Sequence, residues 1–297
     1  MSSKYAGIAL ILSSATLGSL FPIIGKLAGT GVDPIFFAGG SVMISTIPAL
    51  ALLSRRRRDS WHKVKRNWRL VALNSLFNII IPYILFYIGI QLTSGVHAAL
   101  LLLTEIPFTV LFTPLFGEPT TRLKVVGSGL VAIGAAAIVW SGSFNLNTGD
   151  ILIIASTAFY PFGNFFAKKA MNHLSSEFMV VGRSLFGGVV LLLLSGLMER
   201  GQFASLGENG WWLMVINGLA VFGIGKIFWF EGFRTMDISK AIALLKIEPM
   251  ISLLLVAIVL AEPVTWLQLA GALVMVGGVY TTLRRASVPL EQTRYST

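Results

Sequence analysis

The segment Arg122-Leu-Lys-Val-Val-Gly-Ser-Gly-Leu-Val-Ala-Ile-Gly134 aligns without a gap with Trp266-Leu-Gln-Leu-Ala-Gly-Ala-Leu-Val-Met-Val-Gly-Gly278. The second residue is leucine in both, and the first and last glycines of the earlier segment coincide with glycines of the later one. Just upstream, Gly117-Glu-Pro119 and Ala261-Glu-Pro263 lie at the same offset from the two segments. Such self-similarity indicates that the chain contains two copies of one structural unit.

The duplication extends over most of the chain, but the basic residues do not follow it. With one or two residues of slippage, further pairs match: Trp68 with Trp211, Asn74 with Asn217, and Lys26 with Lys168. The segment 55–69 carries eight basic residues, whereas its counterpart, 199–210, carries only Arg200 together with Glu199 and Glu208. Loops whose charge differs between the copies predict that the second copy is inverted in the membrane, a pattern typical of secondary transporters.

The composition is that of an integral membrane protein. Of the 297 residues, 55% are hydrophobic and only 12% are charged, and that charged fraction is about half of what a soluble domain uses. The net charge of +10 arises in short loops, so it indicates membrane topology and contact with anionic lipid rather than nucleic-acid binding. The absence of cysteine excludes disulfides and cysteine metal sites. The first apolar stretch is too long for a signal-peptide core, so we expect it to be retained as a span.

Ten apolar stretches of about 20 residues predict an all-α integral membrane fold. The expected transmembrane helices are 5–27, 34–53, 70–91, 95–116, 122–141, 148–170, 177–198, 211–233, 238–260 and 265–283. Short connections rich in turn residues predict an up-and-down bundle. We therefore expect a first five-helix repeat at 1–143, a second, inverted five-helix repeat at 144–286, and a disordered cytoplasmic tail at 287–297.

The basic residues also predict the orientation. With the N-terminus inside, the cytoplasmic segments contain Lys4, the cluster at 55–69 and most other lysines and arginines. Several acidic residues fall mainly on the opposite side: Asp33, Asp150, Glu208 and Glu262. This asymmetry predicts that both termini are cytoplasmic, and an odd number of spans per unit independently requires the second copy to invert. The predicted location is the plasma (inner) membrane of a prokaryote, as a multi-pass protein.

These features together resemble the drug/metabolite transporter superfamily, in its two-repeat EamA branch. The resemblance covers about 5–285 and rests on the Glu-Pro pairs after predicted spans four and nine, the glycine-rich spans that follow them, and the aromatic stretches Tyr83–Gly89 and Phe228–Gly232. Arg183 occupies a place where the family often has an arginine, whereas the first repeat has Ser41 there. The resemblance implies a central cavity between the repeats and the export or exchange of small metabolites such as amino acids.

Two glutamates at matching positions of spans four and nine are candidate site residues. Glu105 and Glu248 each lie just before a proline, which removes a backbone donor and frees a carbonyl group. A carboxylate near such carbonyls suits the binding of a ligand or a proton, and a structural salt bridge between the repeats explains it equally well. Lys246 lies about 200° from Glu248 on an ideal helix, so one of the two faces the cavity. Lys246 either pairs with a carboxylate such as Glu105 or binds an anionic group of the substrate.

Further candidates lie on other spans. Lys226 and Trp229 place a cation beside aromatic rings, which suits an amphipathic ligand, although lipid-facing packing is the alternative. His97 lies two turns before Glu105, so the two either form a proton relay or the histidine is simply solvated. Four more residues are explained equally well as ligand contacts or as contacts between helices: Asn78 and Tyr83 on span three, and Tyr160 and Asn164 on span six.

The expected partners follow from these patterns. We expect a small-molecule substrate, membrane lipid, and a proton or counter-substrate, with no nucleic acid and no cofactor. The glycines of spans five and ten predict close helix packing, within the bundle or across a homodimer.

The sequence contains no recognisable catalytic or ATP-binding motif. It has three histidines and lacks His-Glu-x-x-His, Gly-x-Ser-x-Gly and Walker sequences, so we predict a secondary transporter rather than an enzyme or an ATP-driven pump. The predicted function is export of an amino acid or similar metabolite by alternating access between the repeats. The alternative within transport is a lipid-linked or nucleotide-sugar carrier. Two alternatives from other classes, an intramembrane enzyme using Glu105 and Glu248 and a Schiff-base receptor using Lys246, do not require the inverted duplication.

Overall fold

The computed structural model describes residues 3–29, 32–56, 61–117, 120–140, 147–199, 208–235, 245 and 247–283, and the structural statements below concern these residues. Their regular secondary structure is helical throughout. Several features of the sequence analysis lie outside the described residues: Lys246, the Glu118-Pro119 pair, Arg200, residues 57–60 of the basic segment, residues 238–244 of the predicted span nine, and the tail at 287–297.

Eight helical spans in this part of the chain are long and apolar enough to cross a membrane. In chain order, and numbered 1 to 8 below, they are Tyr5–Ala28, Pro34–Ser54, Trp68–Gln91, Gly95–Phe116, Arg122–Val139, Thr148–Met171, Ser176–Met198 and Asn209–Gly232. The first eight predicted spans are thereby confirmed to within two residues at each end. Two shorter apolar helices, Glu248–Val259 and Trp266–Leu283, correspond to the predicted spans nine and ten.

Most spans are divided into shorter helical segments. The α-helical segments are Ser3–Gly18 and Leu20–Ala28 in span 1, Pro34–Ile44 and Thr46–Arg56 in span 2, Trp68–Ser75 and Ile81–Gln91 in span 3, Gly95–Leu101 and Glu105–Phe112 in span 4, Arg122–Val139 in span 5, Thr148–Thr157 and Tyr160–Met171 in span 6, Ser176–Met198 in span 7, and Glu208–Ile216 and Lys226–Thr235 in span 8. A short helix, Trp61–Arg66, precedes span 3.

Prolines account for the interruptions in spans 1, 3, 4 and 6. Pro22, Pro82, Pro107 and Pro161 each lie within a few residues after the break, because proline lacks the N–H donor and its ring clashes with the preceding turn. The break is π-helical in span 3, at Leu76–Ile80, and 3-10 helical in span 4, at Leu102–Thr104.

Span 8 has a π-helical segment that contains no proline. The segment Asn217–Gly225 contains Gly218, where an added Cβ atom would lie 2.6 Å from the backbone oxygen of Ser41. This close approach of spans 8 and 2 requires glycine and accompanies the change of helical pitch. Spans 3 and 8 are counterparts in the sequence duplication, and both are π-helical at the matching place.

The helices pack mainly in antiparallel pairs. Span 5 pairs with the Trp266–Leu283 helix, span 2 with span 7, and span 4 with the Glu248–Val259 helix. Span 1 pairs with span 8, and span 3 with span 6. A Cβ atom added to Gly127 would lie 2.5 Å from the Gly278 oxygen, and one added to Gly134 would lie 2.6 Å from the Gly271 oxygen. These glycines let two backbones touch, which confirms close packing within the bundle. The homodimer stays a prediction.

The two ends of the bundle differ in charge. We call the end where spans 2, 4 and 6 begin the acidic end, because it carries Asp33, Asp150, Glu199 and Glu262. The opposite end, where spans 3, 5 and 7 begin, is called the basic end, and it carries Lys63, Lys65, Arg66, Arg69, Arg122, Lys124, Lys168 and Lys169.

Candidate functional site

Six polar side chains from different helices come together in the interior of the bundle. This central cluster consists of Tyr83, Glu105, Tyr160, Arg183, Lys226 and Glu248, whose charges and hydroxyl groups lie close enough to interact electrostatically. Tyr83 and Arg183 are buried, whereas the other four are half-buried. Because those four keep partial exposure, they border a space that protein atoms do not fill. The cluster combines side chains from both copies of the duplicated unit.

Arg183 is the member of the cluster that the sequence analysis did not select as a site residue. Arg183 is 3% exposed, interacts with the Tyr83 hydroxyl, and its guanidinium carbon lies 5.5 Å from the centre of the Phe230 ring. Among the described residues its Nε has no hydrogen-bond partner. The available signal was a lone arginine about two turns inside an apolar helix, where a charge requires an explanation.

Glu105 is held by a chain of asparagine amides. Asn164 Nδ2 donates to Glu105 Oε1 at 3.0 Å, and Asn78 Nδ2 donates to Asn164 Oδ1 at 3.1 Å. Asn74 Nδ2 donates to the backbone oxygen of Gly163 at 2.8 Å, which fixes span 6 against span 3. The amides therefore present donors toward the carboxylate and orient one of its two oxygens.

Glu248, the counterpart of Glu105, has a different environment. Its carboxylate packs against Gly18, where an added Cβ atom would lie 2.7 Å from both Cδ and Oε1. Gly18 ends the first helical segment of span 1. The alignment of Lys26 with Lys168 makes Gly18 the counterpart of Tyr160. The two equivalent positions therefore differ. Gly18 leaves space for the Glu248 carboxylate, whereas Tyr160 places a phenol near Glu105.

Buried aromatic rings fill the bundle on one side of the cluster. Phe21 stacks on Phe86 with centroids 4.1 Å apart, and Tyr83 stacks on Phe222 at 4.8 Å. Asn217 Nδ2 donates to the Tyr87 hydroxyl at 2.6 Å. All five rings are at most 8% exposed, so this part of the bundle is closed.

Toward the basic end the aromatic side chains are partly exposed. We call this set the phenylalanine bank; it comprises Phe77, Phe108, Phe112, Phe116, Phe159, Phe162, Phe165 and Phe166. Phe112 and Phe162 lie 4.8 Å apart, and Phe116 and Phe165 lie 4.4 Å apart. The bank adjoins Glu105 and Asn164 along the same helices.

Two carboxylates at the acidic end cap helix N-termini. Glu199 accepts from the backbone N–H groups of Ile35 and Phe36 at 2.7 and 2.9 Å. Glu262 accepts from those of Gly95 and Val96 at 2.9 and 3.0 Å. Charged acceptors at helix N-termini make strong hydrogen bonds because these N–H groups have no partner within the helix. Each cap joins the second copy to the first.

Two more acidic residues complete this end. Asp150 contacts His97 Nδ1 at 3.1 Å and accepts from the Thr93 hydroxyl. Asp33 makes no side-chain cap to its helix, and burial, followed by the negative charge of Glu199, raises the pKa of its carboxyl group.

The remaining predicted site residues lie elsewhere. His97 is directed to Asp150 and not to Glu105, because the 3-10 segment Leu102–Thr104 interrupts the helix face that the two were expected to share. Trp229 packs against a buried cluster that contains Ile227 and Phe230. The structure therefore brings together Tyr83, Glu105, Tyr160, Lys226 and Glu248, with Asn78 and Asn164 behind Glu105, but not His97.

A cavity of about 670 Å³ lies at the acidic end, away from the central cluster. Its ionic lining groups already have partners: Lys26 Nζ donates to backbone oxygens of Ile90 and Thr93, Asp150 contacts His97, and Glu262 caps a helix. The central cluster holds an arginine nitrogen without a partner among the described residues. The cluster is therefore the better candidate for ligand binding.

The spans define a multi-pass membrane protein, and comparison with known proteins identifies its class. The model of the EamA-like transporter family matches the chain twice, over residues 5–140 and 147–284. The chain therefore belongs to this family, and the protein is a membrane transporter, as the sequence resemblance indicated.

Similar proteins are known from archaea and bacteria. An uncharacterized transporter of Methanothermobacter thermautotrophicus is 26% identical over 289 residues, which cover 93% of this chain and 82% of the relative. The uncharacterized transporter YvbV of Bacillus subtilis is 26% identical over 264 residues, covering 86% of this chain and 84% of the relative. A solved crystal structure shares the fold, with a TM-score of 0.67 and 18% identity, over 95% of this chain and 98% of its own.

Proposed function

We propose that the protein is a secondary transporter that exports an amino acid or a similar small metabolite. The observation that carries this proposal is the central cluster, where ionisable side chains from both copies meet inside the bundle. Ionisable groups are costly within a membrane, and they are found where they bind a substrate or a coupling ion. A proton or a counter-substrate would drive the cycle, since the sequence carries no ATP-binding motif.

We further propose ten spans in two inverted repeats, divided near residue 143. Two matches to one family model support the repeat, and the antiparallel pairs support the inversion. Spans 2, 4 and 5 each pack on their own counterparts, while the contact of span 1 with span 8 is matched by that of span 6 with span 3. This exchange of partners is what a two-fold axis in the membrane plane produces.

The basic end is proposed to face the cytoplasm, which places both termini inside the inner membrane of a prokaryote. The support is the sign of the charges: basic residues concentrate at one end of the bundle and acidic residues at the other. Positively charged loops remain on the cytoplasmic side during insertion.

Alternating access is the proposed mechanism. The caps of Glu199 and Glu262 join the two copies at the acidic end, while the phenylalanine bank keeps partial exposure toward the basic end. In this arrangement a cytoplasmic substrate would reach the central cluster along the bank. Its release on the other side requires both caps to break and the helices to separate at the acidic end. Glu105, Glu248, Lys226, Tyr83, Tyr160, Asn78 and Asn164 are the proposed binding residues, whereas Lys246, Trp229 and His97 stay predictions from the sequence.

The test is flux in proteoliposomes that contain the purified protein. We expect saturable movement of at least one labelled amino acid, absent from protein-free liposomes and altered by a pH gradient or by unlabelled substrate on the opposite side. A thermal-shift screen selects the compounds, because a ligand that binds only the folded state raises its apparent stability. Movement of nucleotide sugars or lipid-linked compounds alone would support the other carrier function, and absence of all flux would contradict both.

A further inference from the structure

Arg183 is a buried cation without a carboxylate partner in the described part of the chain. Its described neighbours are three neutral groups, the Tyr83 hydroxyl, Tyr160 and the Phe230 ring, and a second cation, Lys226. Its Nε makes no hydrogen bond to a described residue. A guanidinium presents several donors in a planar fork that fits a carboxylate. A buried cation in this state is costly, and an incoming anion would neutralise it.

Glu105 is a carboxylate without a cationic partner among the described residues. Its Oε1 atom accepts a hydrogen bond from the neutral amide of Asn164. No lysine or arginine nitrogen among the described residues lies within salt-bridge distance of it, and the side chain is half-buried. The amide chain from Asn78 orients the carboxylate but supplies no positive charge.

The other two charges of the central cluster, Lys226 and Glu248, are opposite in sign. Among the charged groups that act on Lys226, Glu248 has the largest effect, ahead of Arg183 and Glu105. With Lys226 assigned to Glu248, the cluster holds one further positive group and one further negative group, Arg183 and Glu105. Tyr160 interacts with both, so these two charges lie around the same phenol.

We propose that Arg183 and Glu105 bind the two ends of a zwitterionic α-amino acid across Tyr160. The α-carboxylate is held by the guanidinium beside the Tyr83 hydroxyl, and the α-ammonium donates to the Glu105 carboxylate that Asn164 orients. This assignment rests on the proposed function and adds the substrate class and the group that each residue recognises. An amine without a carboxylate leaves Arg183 unneutralised, and an acid without an ammonium group leaves Glu105 unneutralised.

The first test uses three compounds with one side chain. In proteoliposomes, the amino acid of highest flux competes with itself, with its decarboxylated amine and with its deaminated acid. We expect the amino acid to compete at concentrations lower by on the order of 30-fold or more, because each analogue leaves one buried charge unpaired. Equal competition by the amine would overturn the inference while leaving transport, and hence the proposed function, intact. Absence of flux with every compound contradicts both.

The second test changes the selectivity. Arg183→Gln should bring the competing concentrations of amino acid and amine to within about threefold of each other, because neither compound then meets a guanidinium that needs a carboxylate. Arg183→Lys should keep part of the preference, because it retains the charge but not the bidentate fork. Arg69→Gln, a change at an exposed arginine that lies over Trp68, is the control and should keep the full preference. A full preference in Arg183→Gln would contradict the assignment, and the first test decides alone if that variant does not fold.

Discussion

At the acidic end the charged side chains contact backbone groups at helix termini, whereas in the central cluster they contact neutral side chains or each other. Glu199 and Glu262 each accept from two backbone N–H groups, and Lys26 donates to two backbone oxygens. Arg183 and Glu105, by contrast, have neutral partners among the described residues. Charged residues therefore join helices at the acidic end, whereas in the central cluster they keep charge that the described residues do not neutralise. Charge that the protein satisfies by itself holds helices together, and charge that it leaves unsatisfied is available to a ligand.

The largest expected effect comes from removing a charge of the central cluster. Glu105→Gln should lower transport by about 100-fold, because it removes the charged acceptor for the substrate ammonium while keeping the size of the side chain. The measurement is initial flux in proteoliposomes, normalised to folded protein. Glu231→Gln, which neutralises a carboxylate of span 8 outside the cluster, is the matched control and should keep near-parental flux. Parental flux in Glu105→Gln would remove the central cluster from the mechanism.

A smaller effect is expected from crowding the cluster without changing its charge. Gly18→Ala places a methyl group 2.7 Å from the Glu248 carboxylate, so the carboxylate must move, at a typical cost of about 1–3 kcal/mol. We expect flux to fall about tenfold, in keeping with that cost. At Gly196 an added Cβ atom meets nothing within 4 Å. Gly196→Ala should therefore leave flux unchanged, and equal losses in the two variants would show that the effect is not local to Glu248.

Removing a cap should change access to the acidic end more than it changes binding. The chain has no cysteine, so Ala28→Cys provides a single reporter at a position that is 5% exposed. In this background Glu262→Gln should speed thiol labelling about three- to tenfold, because the charge-assisted bonds to Gly95 and Val96 weaken. Labelling at the parental rate would show that the cap does not hold this end closed. Glu231→Gln again serves as the control.

The smallest effect concerns Asp33, the acidic-end carboxylate that makes no cap. The pKa of Asp33 is raised in the folded protein. Asp33 therefore favours the folded state at pH values below its pKa in the unfolded chain, which is about 4. This contribution is lost as the pH rises through the pKa in the folded protein. Asp33→Asn should therefore raise Tm by about 1 °C at pH 7 and have no effect at about pH 3 or below. Asp150→Asn should lower Tm at pH 7, since Asp150 contacts His97 and Thr93. A lower Tm for Asp33→Asn at pH 7 would contradict the raised pKa.

The sequence by itself determined the helices and the close packing of span 5 against the Trp266–Leu283 helix. Apolar length predicts a membrane span because a helix satisfies its own backbone in lipid, and the first eight spans agree to within two residues. Glycine spacing predicts close packing because glycine has no Cβ atom, as Gly127 and Gly134 show against the Trp266–Leu283 helix. Both signals are local, so they are visible without knowing which helix lies beside which.

Only the tertiary structure decided how the polar side chains pair. Glu105 and Lys226 were visible as charges in apolar spans, but the meeting of Arg183 with Tyr83 joins residues 100 positions apart. An ideal helix places His97 and Glu105 on one face, which left a proton relay and a solvated histidine as alternatives, but a 3-10 segment intervenes and His97 contacts Asp150 instead. Glu262 was recognised as part of a repeated motif, yet its role as a cap depends on the N-terminus of span 4. Partners of this kind depend on helix positions and rotations that arise from the packing of the whole bundle, which no single segment encodes.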